Sequence, residues 1–572
     1  ARIRALRCHG GTRGTALAAR HRHTPTVVPC QAPATHHVDA SVSYHVTLSG
    51  PNDLETLRVA RTAMKYLSTR GGDERLTFEE AVLQGPAPNG GRSAPERKPA
   101  VPADWQDAWA TLPFPELAFR IASLFVPPTA EEGGIPPDDL RMLMNKSYAT
   151  FRHDDVAPLH QVSPREWCLE LWHGPTFAFK DVALQLLGNL FEYILERRNQ
   201  AQGTHTLTVL GATSGDTGSA AIAGLRSKAH IHIFILHPRG RVSPIQEAQM
   251  TTILDDNVHN LAVDGTFDDC QDIVKTLFAD RAFNDKHHLG AINSINWARI
   301  LSQITYYFAA YFALRKQTDD ADRMQVVVPT GNFGDILAGY YAKRLGLPMS
   351  QLVVATNEND ILQRFWATGR YEKAQGGHVA ATLSPAMDIQ VSSNFERLLW
   401  HLAHDTSEAS DRAADAGRQV QAWMQALKTH GSMAVTPAQW ELARRDFSAE
   451  RVSDAETRAT IRRYFDEQSY LVDPHTAVGF EAARRRANTA PQVILSTAHP
   501  AKLSDAVLSS FADHRDSASN VAAPVLPPEM QGLLDKPRRV VHIPAGDDHF
   551  ASLLQRTKDQ IERDGFTSTN AS

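Results

Sequence analysis

From Thr206 to Ala355 short β-branched runs alternate with helical stretches, and few architectures accept that alternation. Thr206–Leu210, Ile231–Leu236 and Val258–Val263 read as strands, while Ser219–Ser227, Pro244–Ile253 and Asp268–Ala279 read as helices. The pattern resumes with a helix at Asn296–Leu314, a strand at Gln325–Val328, a helix at Gly334–Arg344 and a strand at Leu352–Ala355. Strands spaced by helices predict parallel sheets covered by helices on both faces. Two such series predict two α/β units facing one another, with the cleft between them as the expected ligand site. Val493–Thr497 is expected as a late strand, and Asp405–Lys428 as a polar helix with a solvated outer face.

The remaining chain brackets this region. No Asp or Glu occurs from Ala1 to Val38, where Arg2, Arg4, Arg7, Arg13, Arg20 and Arg22 recur, so residues 1–40 read either as a transit-like segment or as upstream sequence without structure. Residues 41–146 are expected to form a small N-terminal α+β domain. Within it Thr77 and Glu80 form a capping box that opens a short helix, Gly85–Gly91 breaks that helix, and a turn-rich surface loop runs to Pro102. Trp105–Phe125 is expected to be helical, and Asn145–Phe151 to lead out of the domain. The expected catalytic region spans 147–530, with a smaller mobile subdomain at about 204–290, and 531–572 is an extension.

Composition narrows the function classes. A chain of 572 residues with 42 % hydrophobic content needs more than one core. Its net charge of −5 shows none of the basic surplus of nucleic-acid binders, so the expected partner is a small molecule. Cys8, Cys30, Cys168 and Cys270 match no metal spacing, predict no metal site and suit a reducing, cytoplasmic compartment, or a plastid or mitochondrial matrix if the first 40 residues are a transit peptide. The apolar run around Ile304–Leu314 is short of the roughly 20 residues of a membrane helix and carries Thr305 and three tyrosines, so no membrane association is expected.

Chemistry concentrates at three places. The run Glu170–Asp181 ends an aromatic and apolar stretch in Lys180, where a helix begins. Aromatic walls disfavour the ammonium form and leave a free amine suited to a Schiff base with an aldehyde. The alternative is a helix-start lysine that snorkels outward and pairs with Asp181. Two strands then end in glycine-rich loops that open helices, Gly211-Ala212-Thr213-Ser214-Gly215-Asp216-Thr217-Gly218 and Gly331-Asn332-Phe333-Gly334-Asp335. Such loops offer backbone N–H groups and a positive helix end to an anion, or are simply turns; neither is a Walker loop nor GxGxxG. Two anion nests beside one buried amine imply a phosphorylated cofactor next to a phosphorylated substrate. The aldehyde with a phosphate tail is pyridoxal 5'-phosphate, which needs a lysine, a phosphate cradle and a partner for its ring nitrogen. Ser496 and Thr497 offer hydroxyls for the last role, or cap a strand end.

Together with Asn293–Arg299 and Ser496–Lys502, these motifs resemble the threonine synthase family, most closely its long, fungal-type branch among the fold-type II pyridoxal-phosphate enzymes. The likeness runs from about Lys65 beyond Pro528. It implies that Lys180 is the catalytic, cofactor-bearing lysine, that Gly331, Asn332, Phe333 and Asp335 hold the cofactor phosphate, and that Thr497 meets the ring nitrogen. It places Ser214, Gly215, Asp216 and Thr217, with Asn296 and Arg299, around the substrate. The implied activity converts O-phospho-L-homoserine and water into L-threonine and phosphate, in a monomer or weak homodimer. A related phospho-lyase releasing a keto acid and ammonia, or a non-catalytic phosphate-ligand-binding homologue, are the alternatives. One departure from the family pattern is Arg92-Ser93-Ala94-Pro95 after Gly90-Gly91, read as a strand that has lost its apolar face and lies outside the cofactor motifs.

Overall fold

The computed structural model describes residues 63–201, 203–487, 489–512 and 526–565. The arginine-rich stretch, the expected onset of order near Ser41, Cys8 and Cys30 lie outside the described residues.

The first described elements are strand β1 (Tyr66–Ser68), helix α1 (Phe78–Gln84) and strand β2 (Ser93–Pro95), with β1 and β2 antiparallel. Thr77 caps α1, and the expected box forms, with Thr77 Oγ1 accepting from the Glu80 amide and the Glu80 carboxylate accepting from the Thr77 amide. The surface loop expected up to Pro102 is corrected by β2, whose residues are all buried. Small side chains let this strand sit under the guanidinium of Arg397, which donates twice to the Ser93 carbonyl at 2.9 and 2.8 Å. Trp105–Phe125 breaks into α2 (Trp105–Ala108) and α3 (Phe114–Ala122), because Pro113 is extended as the cap of α3 and Pro115, in the first turn of α3, has no amide to continue a helix from upstream. Asn145–Tyr148, expected as a lead-out, is the last turn of α4 (Pro137–Tyr148).

Next come β3 (Leu159–Ser163), β4 (Glu166–Glu170), α5 (Lys180–Ala201), β5 (Leu207–Ala212), α6 (Asp216–Leu225), β6 (Ile231–Pro238), α7 (Pro244–Thr251), β7 (Val258–Val263), α8 (Phe267–Ala279), α9 (Arg281–His287) and β8 (Leu289–Gly290). The chain continues through α10 (Trp297–Arg315), β9 (Gln325–Pro329), α11 (Gly334–Leu345), β10 (Gln351–Thr356), α12 (Ile361–Thr368) and a small antiparallel pair, β11 (Arg370–Glu372) and β12 (Ser432–Ala434). Between those two strands lie α13 (Phe395–Thr406) and α14 (Arg412–His430), so the expected helix from Asp405 to Lys428 is two helices with a break at Ser407–Asp411. The last strands are β13 (Phe447–Arg451), β14 (Gln492–Ser496) and β15 (Val541–Ile543).

One sheet has the order β13-β10-β9-β14-β4-β3 and is parallel except for its edge strand β3. The late strand β14 lies in its middle, pairing Ile494 with both Val327 and Cys168. The other sheet, β15-β7-β6-β5-β8, is parallel throughout. Its outer strand β15 comes from beyond residue 531, so part of the expected C-terminal extension completes the sheet begun at Leu207.

Alternation along the strands sorts the core. Val326, Val328, Val493 and Leu495 point to one face of the larger sheet, while Val327, Val353 and Ile494 point to the other. In the smaller sheet Val209, Ile233 and Ile235 point toward the same central core as the first set, and Leu210, Phe234 and Leu236 point away. That central core also takes in α5 and α10, which are apolar around most of their circumference and buried accordingly. Both sheets thus share one apolar layer, and their strand ends are fixed relative to each other.

Candidate active site

Each predicted loop leaves the C-terminal end of a strand: Lys180 follows β4, the first glycine-rich loop follows β5, the second follows β9, and Thr497 follows β14. Open α/β sheets place ligands at these ends. The segments carrying Lys180 and Thr497 are stitched together, since the Phe179 amide donates to the Thr497 carbonyl at 2.9 Å and the His499 amide to the Phe177 carbonyl at 3.1 Å. Phe177 holds a φ of 60° there, a strained value for a bulky residue.

Lys180 is 8 % exposed, the first residue of α5, and its Nζ lies 4.6 Å from the centroid of the Phe179 ring. Its partner is not Asp181, whose carboxylate accepts instead from the amide and hydroxyl of Thr176 at 2.8 and 2.7 Å. The Lys180 ammonium faces Asp216 Oδ2 at 3.5 Å. Burial pushes the amine below its ordinary range, and the cations Lys502 and Arg299 push the same way against the attraction of Asp216.

Asp216 opens α6 after Gly215, whose φ of 139° and whose approach to Gln246 leave no room for a side chain. The Asp216 carboxylate is turned into the protein, accepting from Gln246 Nε2 at 2.8 Å and meeting Lys502 Nζ at 3.4 Å. Burial opposes its charge, yet the ammonium groups of Lys180 and Lys502 hold it well below the usual carboxylate range. Thr213 Oγ1 ties the loop by accepting from the amides of Gly215 and Gly218, each at 2.9 Å. Ser214 and Thr217 remain partly exposed beside it.

The second loop has the same logic. Phe333 caps α11 at a φ of 64°, and Gly331 packs so tightly on the Ala386 carbonyl that a Cβ would come within 2.7 Å of it. Among the described residues no group accepts from the amides of Asn332, Phe333, Gly334 or Asp335. The Asp335 carboxylate, which would repel an anion, is drawn aside by the hydroxyls of Tyr306 and Tyr307 at 2.5 and 2.9 Å. Burial pushes that carboxyl up to about 6. Ser392 Oγ donates to the Gly331 carbonyl at 2.6 Å, and Asn394 holds the Asn332 carbonyl from both its amide and its side chain.

Asn296 is placed differently from the family expectation. Its side chain caps α10 through Ala298 and donates to the Val82 carbonyl at 2.8 Å, fully buried, so it tethers α1. As the cap it lies outside the helix that carries Arg299. Arg299 is 3 % exposed and donates Nη1 to the Ile292 carbonyl, while its buried Nε has no partner among the described residues. Burial brings its guanidinium down to about 10. Ser496 is spent on Trp172 and Thr476, which leaves the Thr497 hydroxyl beside Lys180's segment.

Sequence reasoning missed Gln246, Lys502, Tyr306 and Tyr307. The tyrosines left a signal, as hydroxyls inside an otherwise apolar helix, and Lys502 lay within the Ser496–Lys502 motif without a role. Sequence reasoning placed β2 outside the cofactor motifs, and the structure links that strand to one of them: Arg397 joins the Ser93 carbonyl to Asn394 Oδ1, and Asn394 braces the Asn332 loop.

These residues fit pyridoxal phosphate. A buried amine, an array of unbonded amides at a helix start, and an Arg299 Nε without a partner among the described residues are the groups an aldehyde with a phosphate tail and an anionic substrate would engage. The family model for pyridoxal-phosphate-dependent enzymes matches residues 153–497, the threonine synthase N-terminus model matches 65–148, and the threonine synthase C-terminal model matches 476–553. The chain is 53 % identical to threonine synthase of Schizosaccharomyces pombe over 498 residues, which cover 84 % of this chain and 95 % of the relative. The crystal structure of yeast threonine synthase matches with a TM-score of 0.80 at 47 % identity, covering 87 % of this chain and 98 % of that one. Pyridoxal-phosphate-bound threonine synthase from Brucella melitensis matches at a TM-score of 0.78 and 41 % identity, with 88 % and 100 % covered. With fold, loops and sequence in agreement over most of its length, the chain belongs to the threonine synthase family of pyridoxal-phosphate-dependent enzymes.

Proposed function

We propose that this enzyme converts O-phospho-L-homoserine and water into L-threonine and phosphate. The observation that carries this reading is Lys180, a buried amine at the head of α5 between two helix starts able to hold anions. Bound pyridoxal phosphate withdraws electrons from the substrate's amine-bearing carbon, which makes protons at Cα and then Cβ removable.

The chain's residues do the rest. Lys180, with its amine lowered by burial, moves those protons as base and acid. The amides of Gly331, Asn332, Phe333 and Asp335 are suited to the cofactor phosphate, and the Thr497 hydroxyl to the ring nitrogen. A neutral hydroxyl at that point leaves the nitrogen largely unprotonated. Ser214, Gly215, Asp216 and Thr217 are suited to an anionic end of the substrate. Asp216 in this loop and Asp335 in the cofactor-phosphate loop can each serve through the backbone amide because other side chains engage their carboxylates. Arg299 suits the substrate phosphate through its unpartnered Nε. As that phosphate departs, the Cγ–O bond breaks and Cγ gains a proton in place of the one lost from Cβ; water then supplies the hydroxyl at Cβ and a proton returns at Cα.

The test is release of threonine and phosphate from phosphohomoserine by the purified enzyme, compared with Lys180→Ala. The variant should lose both turnover and the cofactor's lysine-bound visible absorption. A keto acid and ammonia in place of threonine would convert the reading to a phospho-lyase, and full activity in Lys180→Ala would end it.

A further inference from the structure

Lys502 is fully buried, follows β14 in the larger sheet, and has no part in the chemistry above. Its Nζ donates to the Thr176 carbonyl and Gln249 Oε1, both at 2.8 Å, and to Ser219 Oγ at 3.3 Å, and it faces Asp216 Oδ1 at 3.4 Å. The Asp216 carboxylate therefore lies between two ammonium groups, Lys180 on Oδ2 and Lys502 on Oδ1. Of the two, only Lys180 must give up its charge to act as an amine. Without a second cation, a buried Asp216 would at that moment be an uncompensated charge and would take up a proton. Protonated, it would lose its attraction for both lysines and loosen the start of α6.

We propose that Lys502 is a positioning residue for the reaction: its ammonium keeps Asp216 ionised and α6 in place while Lys180 becomes a neutral amine. The geometry supports this further because the four partners of Lys502 come from the loop before α5, from α6 and from α7. The same charge ties the larger sheet to the helices of the smaller one. Other charged groups act on this trio: Arg299 and Asp335 on Lys180, His475 on Asp216, and Asp181 on Lys502. The inference rests on Lys180 being the cofactor-bearing amine.

The test is a pH titration of the visible absorption of the cofactor-loaded enzyme. Lys502→Met removes a positive charge and leaves Asp216 to Lys180 alone, so the midpoint should rise by about one pH unit or more. Lys502→Arg retains the charge and should stay within about 0.3 unit of the native midpoint. An unmoved midpoint in Lys502→Met, or equal shifts in both variants, would overturn the proposal. If Lys502→Met does not fold, Asp216→Asn carries the test: the Lys502 ammonium then faces the Lys180 nitrogen with no carboxylate between them, and the midpoint should fall by about one unit or more. No fall would overturn it as well. A native enzyme lacking the visible band would instead overturn the assignment of Lys180, and this proposal with it.

Discussion

Asp335 accepts hydrogen bonds from two buried tyrosines, yet burial outweighs them and pushes its carboxyl up to about 6. Unfolded, an aspartate titrates near 3.9, so the contribution of Asp335 to stability is fully present below about pH 3.9 and is lost as pH rises through about 6. In the cofactor-free protein, Asp335→Asn keeps an acceptor for both tyrosines and removes the charge. Urea unfolding should show the variant gaining on the native protein, with the gain about 1 kcal/mol larger at pH 8 than at pH 5. An equal effect at both values would mean that Asp335 is already ionised at pH 5 and that burial does not raise its carboxyl. Phe177 and Phe333, both at positive φ, belong to the same scale. Their strain is held by the hydrogen bonds around them, and nothing in residue order announces it.

Among the elements, β2 and α13 together explain how a short N-terminal strand influences the phosphate-cradle loop. Arg397 of α13 donates to the carbonyls of Ser93 and Ile295 and to Asn394 Oδ1, and it is wholly buried. Replacing it by Leu would strand three buried acceptors. Arg397→Leu should cost about 3–5 kcal/mol of stability in denaturant unfolding. It should also weaken cofactor binding roughly tenfold or more, since about 1.4 kcal/mol transmitted to the loop through Asn394 suffices. Native cofactor affinity in a correctly folded variant would show that the loop stands without this brace. At α1, Thr77→Ala removes the capping-box hydroxyl and should lower stability by about 1 kcal/mol.

At the scale of the whole molecule, the smaller sheet depends on residues far along the chain. β15 pairs with β7, and Leu553 and Ile561 of the helix at His549–Asp564 are fully buried against Leu261, Cys270 and Ile273. Leu553→Ala should lower stability by about 2–5 kcal/mol. Hydrogen exchange should locate the loss in β5, β6 and β7, with the larger sheet protected as before. Uniform loss of protection would mean that the two sheets unfold as one.

Hydrophobic period and turn chemistry are properties of short windows. For that reason the βα alternation, the Thr77 box, the two glycine-rich helix starts and the buried amine at Lys180 could all be read in the amino-acid order. What no short window contains is the partner of a buried charge. Asp181 lies next to Lys180 in the chain and bonds Thr176, whereas Asp216, 36 positions away, faces the amine. Asn296 looks like a ligand-binding residue in sequence, but folding gives it the Val82 carbonyl. Likewise β2 reads as a strand without an apolar face inside a surface loop, and Arg397 supplies the donors that let it be buried. Local order set the elements because backbone hydrogen bonds and side-chain periodicity act over a few residues. The ion pairs and braces of the site were decided only by the tertiary structure, since desolvation requires each buried polar group to find a partner wherever in the chain the fold brings one.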